Sequence, residues 1–289
     1  MLKTVRFTDN CIGGQGCVLL LGGFDGLHVG HKKLVARAKE YGLPVGIMSI
    51  IGGKDGESLF TAQERERVFE NAGVDFAFFL PFEKIRDMSA EDFAALLITE
   101  YAPKAFICGD DFRFGKGAAG TPALLKQATH VPVEVQPLVE MDGEKVSARA
   151  IKKWLAIGET TRANERLGGE FFLIGRVEKD RQVGRTIGFP TANIRYPEKK
   201  FPLKTGVYES YALVDGKKYK GITNYGARPT FDNAQVWTET HLDGFDGDLY
   251  GKELTLYFCR YLRDIRKFEN GAALRAQLNE DIRRVREND

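Results

Sequence analysis

The chain has 289 residues and a net charge of +2, so its length predicts about two domains and its charge gives no support for general nucleic-acid binding. Hydrophobic residues make up 43% and charged residues 28%, the balance of an ordinary globular protein. No apolar run approaches a membrane span, the N-terminus lacks the apolar core of a signal peptide, and the four scattered cysteines indicate neither a zinc site nor disulfides. We therefore expect a cytoplasmic protein without nucleic-acid or membrane partners.

A glycine-rich loop at 22–31 lies between a predicted strand and a predicted helix. The apolar run 18–21 predicts the strand, and a helical pattern of apolar residues follows the loop. Backbone N–H groups at such a helix start are unpaired and favour anions. His28 and His31, three positions apart, can share one face of the first turn. This context predicts a nucleotide phosphate site, although neither a P-loop nor the Gly-x-Gly-x-x-Gly pattern of dinucleotide enzymes is present.

Strands and helices alternate through the first half of the chain. Buried strands are predicted at 45–51, 74–80, 105–108 and 131–135, with helices starting at a Thr61–Glu64 capping box, at Ser89 and at Thr121-Pro122. This alternation predicts an α/β, Rossmann-like domain with a parallel sheet and helices on both faces.

Two further stretches of the first half carry candidate ligand contacts. The loop 109–115 follows the strand 105–108 and holds two glycines, two carboxylates, an arginine and two aromatics. It suits an aromatic ring and its phosphate, or equally a solvated turn with its aromatic rings packed inward. Ser147 is a candidate N-cap, and Arg149 and Lys152 in the following turns can contact phosphates or remain solvated.

The second half has a different pattern. Gly168-Gly169 reads as a hinge, and we place the boundary there, giving domains 1–168 and 169–289. Short strands at 171–177, 207–214, 217–225, 236–242 and 254–262, with a hairpin signal at Asp215-Gly216, predict a small antiparallel β-barrel that ends in a helix. Within this barrel, Thr191 and Asn193 offer hard oxygen ligands for Mg²⁺, two positions apart on one face of an extended segment.

These motifs together resemble one family, the bacterial bifunctional riboflavin kinase/FMN adenylyltransferases, also called FAD synthetases. The resemblance rests on GGFDGLHVGH at 22–31, GDDFRFG at 109–115, DLYG at 248–251 and, most specifically, GRTIGFPTAN at 184–193. It implies a nucleotidyltransferase domain of the His-x-Gly-His type followed by a kinase barrel. It also implies the partners ATP, riboflavin, FMN and FAD, and Mg²⁺ as the cofactor.

In the first domain, the resemblance implies that His28 and His31 stabilise charge on the α-phosphate of ATP while the FMN phosphate attacks. The implied nucleotide-binding residues are Gly23, Phe24, Asp25, Gly30, Ser147, Arg149 and Lys152. The implied flavin-binding residues are Asp111, Phe112 and Arg113.

In the second domain, the resemblance implies that Glu239 is the catalytic base that takes the proton of the riboflavin 5′-hydroxyl. It implies that Thr191 and Asn193 bind the metal of Mg-ATP and that Arg263 lies near the flavin. The implied nucleotide-binding residues are Gly184, Arg185 and Gly188.

Two alternatives stay open at this stage. The stretches 49–54 and 147–152 depart from the family pattern, which favours a kinase whose first domain is catalytically inactive. A flavin-binding regulator is the second alternative; the near-neutral charge and the presence of both a base and a metal-ligand pair oppose it. The sequence leaves self-association open.

Overall fold

The computed structural model describes residues 2–6, 16–52, 56–179, 184, 188–228 and 235–287. The chain forms two compact units, Met1–Ala148 and Arg149–Asp289. Gly168-Gly169, where the sequence predicts the domain boundary, lie in the second unit, between its helices and its first strand. The boundary at 168 stays a prediction.

Among its described residues, the first unit contains a six-stranded parallel sheet in the order β1-β4-β3-β2-β5-β6. Its strands are β1 (Lys3–Arg6), β2 (Cys17–Leu21), β3 (Val45–Ile51), β4 (Phe76–Pro81), β5 (Pro103–Gly109) and β6 (Val133–Gln136). Its helices are α1 (Val29–Lys39), α2 (Ala62–Asn71), α3 (Phe82–Ile85), α4 (Ala90–Tyr101) and α5 (Pro122–Thr129), and a hairpin of β7 (Glu140–Met141) and β8 (Glu144–Lys145) follows. The predicted α/β class is confirmed.

Apolar cores cover both faces of this sheet. Helices α1 and α2 supply Leu34, Val35 and Phe69 to one core cluster, whereas α4 and α5 supply Phe93 and Leu125 to the other. The predicted helix starts are confirmed: Thr61 forms a capping box with Glu64, and Ser89 and Thr121 accept hydrogen bonds from the third residue of their helices. The sequence patterns missed β1, whose Lys-Thr-Val-Arg sequence lacks an apolar run.

The strand order creates one switch point. The chain runs from β2 outward through β3 and β4, then returns to place β5 on the other side of β2. In open parallel sheets, the crevice at the carboxyl ends of strands at such a point is where ligands bind. The loops that follow β2 and β5, residues 22–28 and 110–115, both leave the sheet there.

The second unit contains, among the described residues, a closed antiparallel barrel in the order β10-β13-β12-β11-β14-β9. Its strands are β9 (Phe171–Glu178), β10 (Ala192–Arg195), β11 (Gly206–Val214), β12 (Lys217–Arg228), β13 (Gln235–Leu242) and β14 (Glu253–Arg263). Helices α6 (Ala148–Ile157) and α7 (Thr160–Leu167) precede it, and α8 (Gly271–Arg286) ends it. The predicted barrel is confirmed, as is its hairpin, since Asp215 and Gly216 both have positive φ values of 50° and 79°.

A buried arginine fixes the loop after β2. The Arg65 side chain on α2 is 3% exposed and pairs with Asp25 at 2.7 Å. Its other hydrogen bonds reach the carbonyl oxygens of Ile50 (2.7 Å) and Phe60 (3.0 Å) and the hydroxyls of Ser49 (3.0 Å) and Ser58 (2.8 Å). One guanidinium therefore joins the loop after β2, the end of β3 and the segment before α2.

We expect Arg65→Met to destabilise the first unit by about 3–5 kcal/mol, because it leaves the partly buried carboxylate of Asp25 without its cation. Urea unfolding measures this change. The matched control is Arg86→Met, which removes an arginine from an exposed pair with Asp87 and is expected to cost less than about 1 kcal/mol. Equal costs for the two variants would contradict a structural role for the buried pair.

Candidate active sites

The two histidines of the first loop stack at the start of α1. Their ring centroids are 3.6 Å apart with an interplanar angle of 15°, and the Phe24 ring lies 4.4 Å from that of His31. His28 is the N-cap of the helix, and its Nδ1 accepts the backbone N–H of His31 at 3.2 Å. The first-turn N–H groups of Val29 and Gly30 have no intrahelical partner. The loop thus combines two imidazoles with a helix N-terminus, as an anion site requires.

Hydrogen bonding assigns the tautomer of each neutral ring. Because Nδ1 of His28 accepts a backbone N–H, its proton lies on Nε2. Nδ1 of His31 lies 3.0 Å from the carbonyl oxygen of Gly26, which can only accept, so His31 carries its proton on Nδ1 and leaves Nε2 as an acceptor. The pair therefore presents one donor and one acceptor nitrogen away from the backbone.

Both imidazoles are neutral at pH 7. Burial and, to a smaller extent, the nearby Lys145 ammonium lower the pKa of His28 to about 4, against the opposing effect of Asp111. Burial also lowers the pKa of His31 well below its usual value, and the adjacent His28 lowers it further.

The other predicted nucleotide residues of this loop serve its geometry. Phe24 is buried with a φ of 39°, a conformation that is strained for a bulky residue. Gly30 lies under the His28 ring, where a Cβ would come within 3.2 Å of it. Asp25 accepts the backbone N–H of Leu59 at 3.0 Å in addition to its pair with Arg65. Gly23 is exposed, with open space where a Cβ would lie.

The second loop, at the end of β5, lies within electrostatic range of His28. Asp111 pairs with Lys145 of β8, and both charges act on the pKa of His28. Phe112 is 9% exposed and stacks on Phe114 with ring centroids 5.5 Å apart, so most of its ring packs into the core. Arg113 is exposed and donates to the carbonyl oxygen of Phe112 at 2.7 Å.

The three candidates near residue 150 belong to different units. Ser147 is half-buried near the end of the first unit. Arg149 and Lys152 lie on α6, in the second unit. Arg149 is exposed, and the Lys152 ammonium lies 5.7 Å from the ring centroid of Phe201.

Glu239 lines a cavity of about 300 Å³ beside the barrel. Its strand β13 lies between β10 and β12, and the register places Glu239 opposite Asn193 on one side and Asn224 on the other. Directly opposed residues share a face, so two amides flank the carboxylate. The remaining wall of this cavity includes Gly184, Phe189, Thr191, Val207, Ile222, His241, Arg263, Ile265, Arg266, Phe268, Leu274 and Leu278.

A second cavity of about 420 Å³ lies next to it, and Thr191 lines both. Its wall includes Thr240, Asp246, Asp248 and Tyr250. Of the predicted metal ligands, Thr191 is half-buried on these walls, whereas Asn193 is 3% exposed on β10.

The two glycines of the 184–193 motif differ in their relation to the Glu239 cavity. Gly184 lines it, and a Cβ there would come within 2.2 Å of the Phe189 carbonyl oxygen, so only glycine fits. Gly188 is exposed with a φ of 83°. The predicted nucleotide contact Arg185 lies outside the described residues.

Residues 13–150 match the FAD synthetase family, and residues 167–288 match the riboflavin kinase family. The chain is 33% identical to the bifunctional riboflavin kinase/FMN adenylyltransferase of Pseudomonas fluorescens over 94% of its length and 93% of that protein. It belongs to the bifunctional riboflavin kinase/FMN adenylyltransferase family. The protein of the same description from Escherichia coli K12 is 32% identical over 94% of this chain and 93% of its own.

A solved structure from Streptococcus pneumoniae, described as a macrolide-efflux protein, has the same fold. It superposes with a TM-score of 0.89 over 99% of both chains at 27% identity. Among the described residues of this chain, no helix combines the length and apolarity needed to cross a membrane.

Sequence patterns missed three side chains of these sites. His241 lines the Glu239 cavity, and its Nδ1 lies 3.0 Å from the Pro190 carbonyl oxygen, next to Thr191 in the chain. Arg65 holds Asp25, as described above. Asp281 pairs with Arg263. Alternation along β13 places His241 on the same face as Glu239, so that residue could have been found; the two pairs join distant segments and could not.

We expect Lys145→Met to raise the pKa of His28 above about 4, because it removes a cation and leaves the Asp111 carboxylate unpaired. Imidazole NMR titration measures this shift. Lys126→Met, an exposed lysine of α5, is the control. Since the unfolded chain takes the His28 proton near pH 6.5 and the folded chain only near pH 4, this histidine's contribution to stability falls as the pH drops through that window. An unchanged His28 titration in Lys145→Met would contradict the assigned charge effect.

Proposed function

We propose that this chain makes FAD from riboflavin in two ATP-dependent reactions, riboflavin phosphorylation in the barrel and FMN adenylylation at the histidine loop. The observation that carries the proposal is the placement of Glu239, on the wall of a cavity that shares Thr191 with a second cavity. Two adjoining cavities suit two substrates, and Thr191 lies where their reacting ends would meet. Family membership supports both activities.

In the kinase reaction, the Glu239 carboxylate accepts the proton of the riboflavin 5′-hydroxyl while that oxygen attacks the γ-phosphorus of ATP. The bond to the β-phosphate oxygen breaks, and ADP leaves. A positioned base contributes about 10²–10⁴-fold to such a rate. Thr191 and Asn193 would hold Mg²⁺, since a hydroxyl and an amide oxygen suit a cation that takes few protein ligands and several phosphate and water oxygens. Bound with ATP, Mg²⁺ neutralises charge on the phosphates.

In the adenylylation reaction, a phosphate oxygen of FMN attacks the α-phosphorus of ATP, and pyrophosphate leaves. Negative charge builds on the α-phosphate oxygens, so positioned donors suffice and no covalent enzyme intermediate is needed. The Nε2–H of His28 and the first-turn N–H groups of α1 are such donors. Each is worth about 2.7–4 kcal/mol in transition-state stabilisation by analogy with oxyanion donors.

Observations also bear on the alternative of an inactive first domain. Ser49, at one of the positions that depart from the family pattern, is buried and donates to the carbonyl oxygen of Phe24 at 3.1 Å. Ser49 therefore makes a hydrogen bond to the loop after β2, although the residue at this position departs from the family pattern. The intact histidine pair favours an active adenylyltransferase over a silent scaffold. A cytoplasmic location and any self-association stay predictions.

We expect Glu239→Gln to lower FMN formation from riboflavin by about 10²–10⁴-fold, because the amide cannot accept the hydroxyl proton. FAD formation from supplied FMN should remain at the unmodified rate. Chromatography of riboflavin, FMN and FAD over a time course measures both. The control is Glu253→Gln, an exposed carboxylate of β14 outside both cavities. Full kinase activity in Glu239→Gln would contradict its role as the base.

We expect His28→Asn to lower FAD formation from FMN by about 10²–10³-fold and to leave FMN formation unchanged. Asparagine keeps the helix N-cap but lacks the imidazole donor. His130→Asn, at the exposed left-handed C-cap of α5, is the matched control. If the unmodified chain forms FMN but converts no supplied FMN to FAD, the first domain is inactive; if it forms neither, the enzyme assignment is wrong.

A further inference from the structure

The Arg263 guanidinium is held by a buried carboxylate that does not itself line the Glu239 cavity. Arg263 ends β14 and lines the Glu239 cavity, whereas Asp281 lies on α8 and is absent from that wall. The Asp281 side chain is 1% exposed; its Oδ2 accepts from Nη2 of Arg263 at 2.6 Å, and its Oδ1 accepts from Nε at 3.1 Å. Two parallel bonds of this kind fix the plane of the guanidinium.

The Asp281 carboxylate is in turn oriented by a neighbouring side chain of α8. Gln277, one turn earlier on α8, donates to Oδ1 of Asp281 at 3.0 Å. Leu274 and Leu278 of the same helix line the cavity beside Arg263. Helix α8 therefore contributes apolar side chains to the cavity wall and, through Asp281, orients the Arg263 guanidinium.

The orientation leaves donors for a ligand. A guanidinium has five N–H groups. Asp281 takes those on Nε and one on Nη2, and the Asp264 carbonyl oxygen takes one on Nη1 at 3.2 Å. Among the described residues, this leaves one N–H on each terminal nitrogen of Arg263. A flavin has carbonyl, ring-nitrogen and hydroxyl acceptors for them.

We propose that Asp281 is a positioning residue for riboflavin binding, which holds Arg263 so that its two remaining N–H groups donate to the flavin. The inference rests on the proposed function in that it takes the Glu239 cavity as the flavin site. Without the carboxylate, the guanidinium keeps its charge but loses the fork that fixes its plane. The Arg263 side chain must then be ordered each time the flavin binds, and the lost entropy weakens binding.

The test compares Asp281→Asn with Asp243→Asn in the full chain. Asp243 accepts two bonds of 2.7 Å from Arg286, so it also ties α8 to the barrel, but it is outside the wall of the Glu239 cavity. We expect Asp281→Asn to raise the KM for riboflavin, and its dissociation constant from flavin fluorescence, by about 10-fold to 100-fold. The KM for ATP and the kcat should change by less than about threefold, since no group on the reacting atoms is altered. Asp243→Asn should leave all four values unchanged.

A second, milder variant tests the same role in case Asp281→Asn does not fold. Gln277→Met removes one hydrogen bond to Asp281 and should shift the riboflavin KM in the same direction by a smaller factor. A shift in thermal stability alone for both variants, with an unchanged riboflavin KM, would overturn the positioning role. An equal loss in Asp243→Asn would assign the effect to helix docking and also overturn it. Failure of the unmodified chain to form FMN would instead refute the proposed function.

Discussion

Strand register is the constraint on which both candidate sites depend. In the first unit, parallel pairing of β2 with β5 aligns Leu21 with Cys108, so the loops after the two strands start at the same edge of the sheet. In the second unit, antiparallel pairing sets Glu239 between Asn193 and Asn224. A slip by one residue would turn Glu239 to the opposite face and remove it from the cavity. Closure of the barrel prevents that slip, because each strand is paired on both sides.

Buried ion pairs fix the orientation of loops and side chains that strand register alone does not determine. Asp25–Arg65 fixes the loop beside the histidines, and Arg263–Asp281 fixes the orientation of a guanidinium that lines the Glu239 cavity. Such pairs are costly to desolvate and contribute little net stability compared with apolar residues of the same volume. What these pairs contribute is orientation, because each joins a segment of a candidate site to a helix that is distant in the sequence. A rigid helix then determines where a polar group of the site points.

Local chemistry made much of this fold predictable. Thr61, Ser89 and Thr121 could be recognised as caps because the residues that satisfy a helix start are close in sequence. Alternation placed most barrel strands within a residue or two, as for the strand predicted at 236–242 and found at Gln235–Leu242. The strand Ala192–Arg195 was missed, because it begins inside the 184–193 motif and acquires its partners only when the barrel closes.

The sites themselves were less predictable from local patterns. The histidine spacing identified the loop, and the resemblance identified Glu239, which pattern alone would class as one acid among many. The orientation of Phe112 could not be decided, since a loop with alternating aromatics suits either a ligand or the core; tertiary packing buries the ring. Arg65 and Asp281 have no sequence signal, because their partners are 40 and 18 residues away.

Burial and the contact that starts α1 together account for the neutral state of the histidine pair. Nδ1 of His28 caps the helix, which brings the two rings to 3.6 Å. Two imidazolium ions at that separation would repel by about 4–5 kcal/mol at an effective dielectric constant near 20. Burial is the main cause of the low pKa of both rings, and repulsion by His28 lowers the pKa of His31 further, so the pair is uncharged at pH 7. Nearby charges also act on the pair, since the Asp111 carboxylate raises the pKa of His28 and the Lys145 ammonium lowers it.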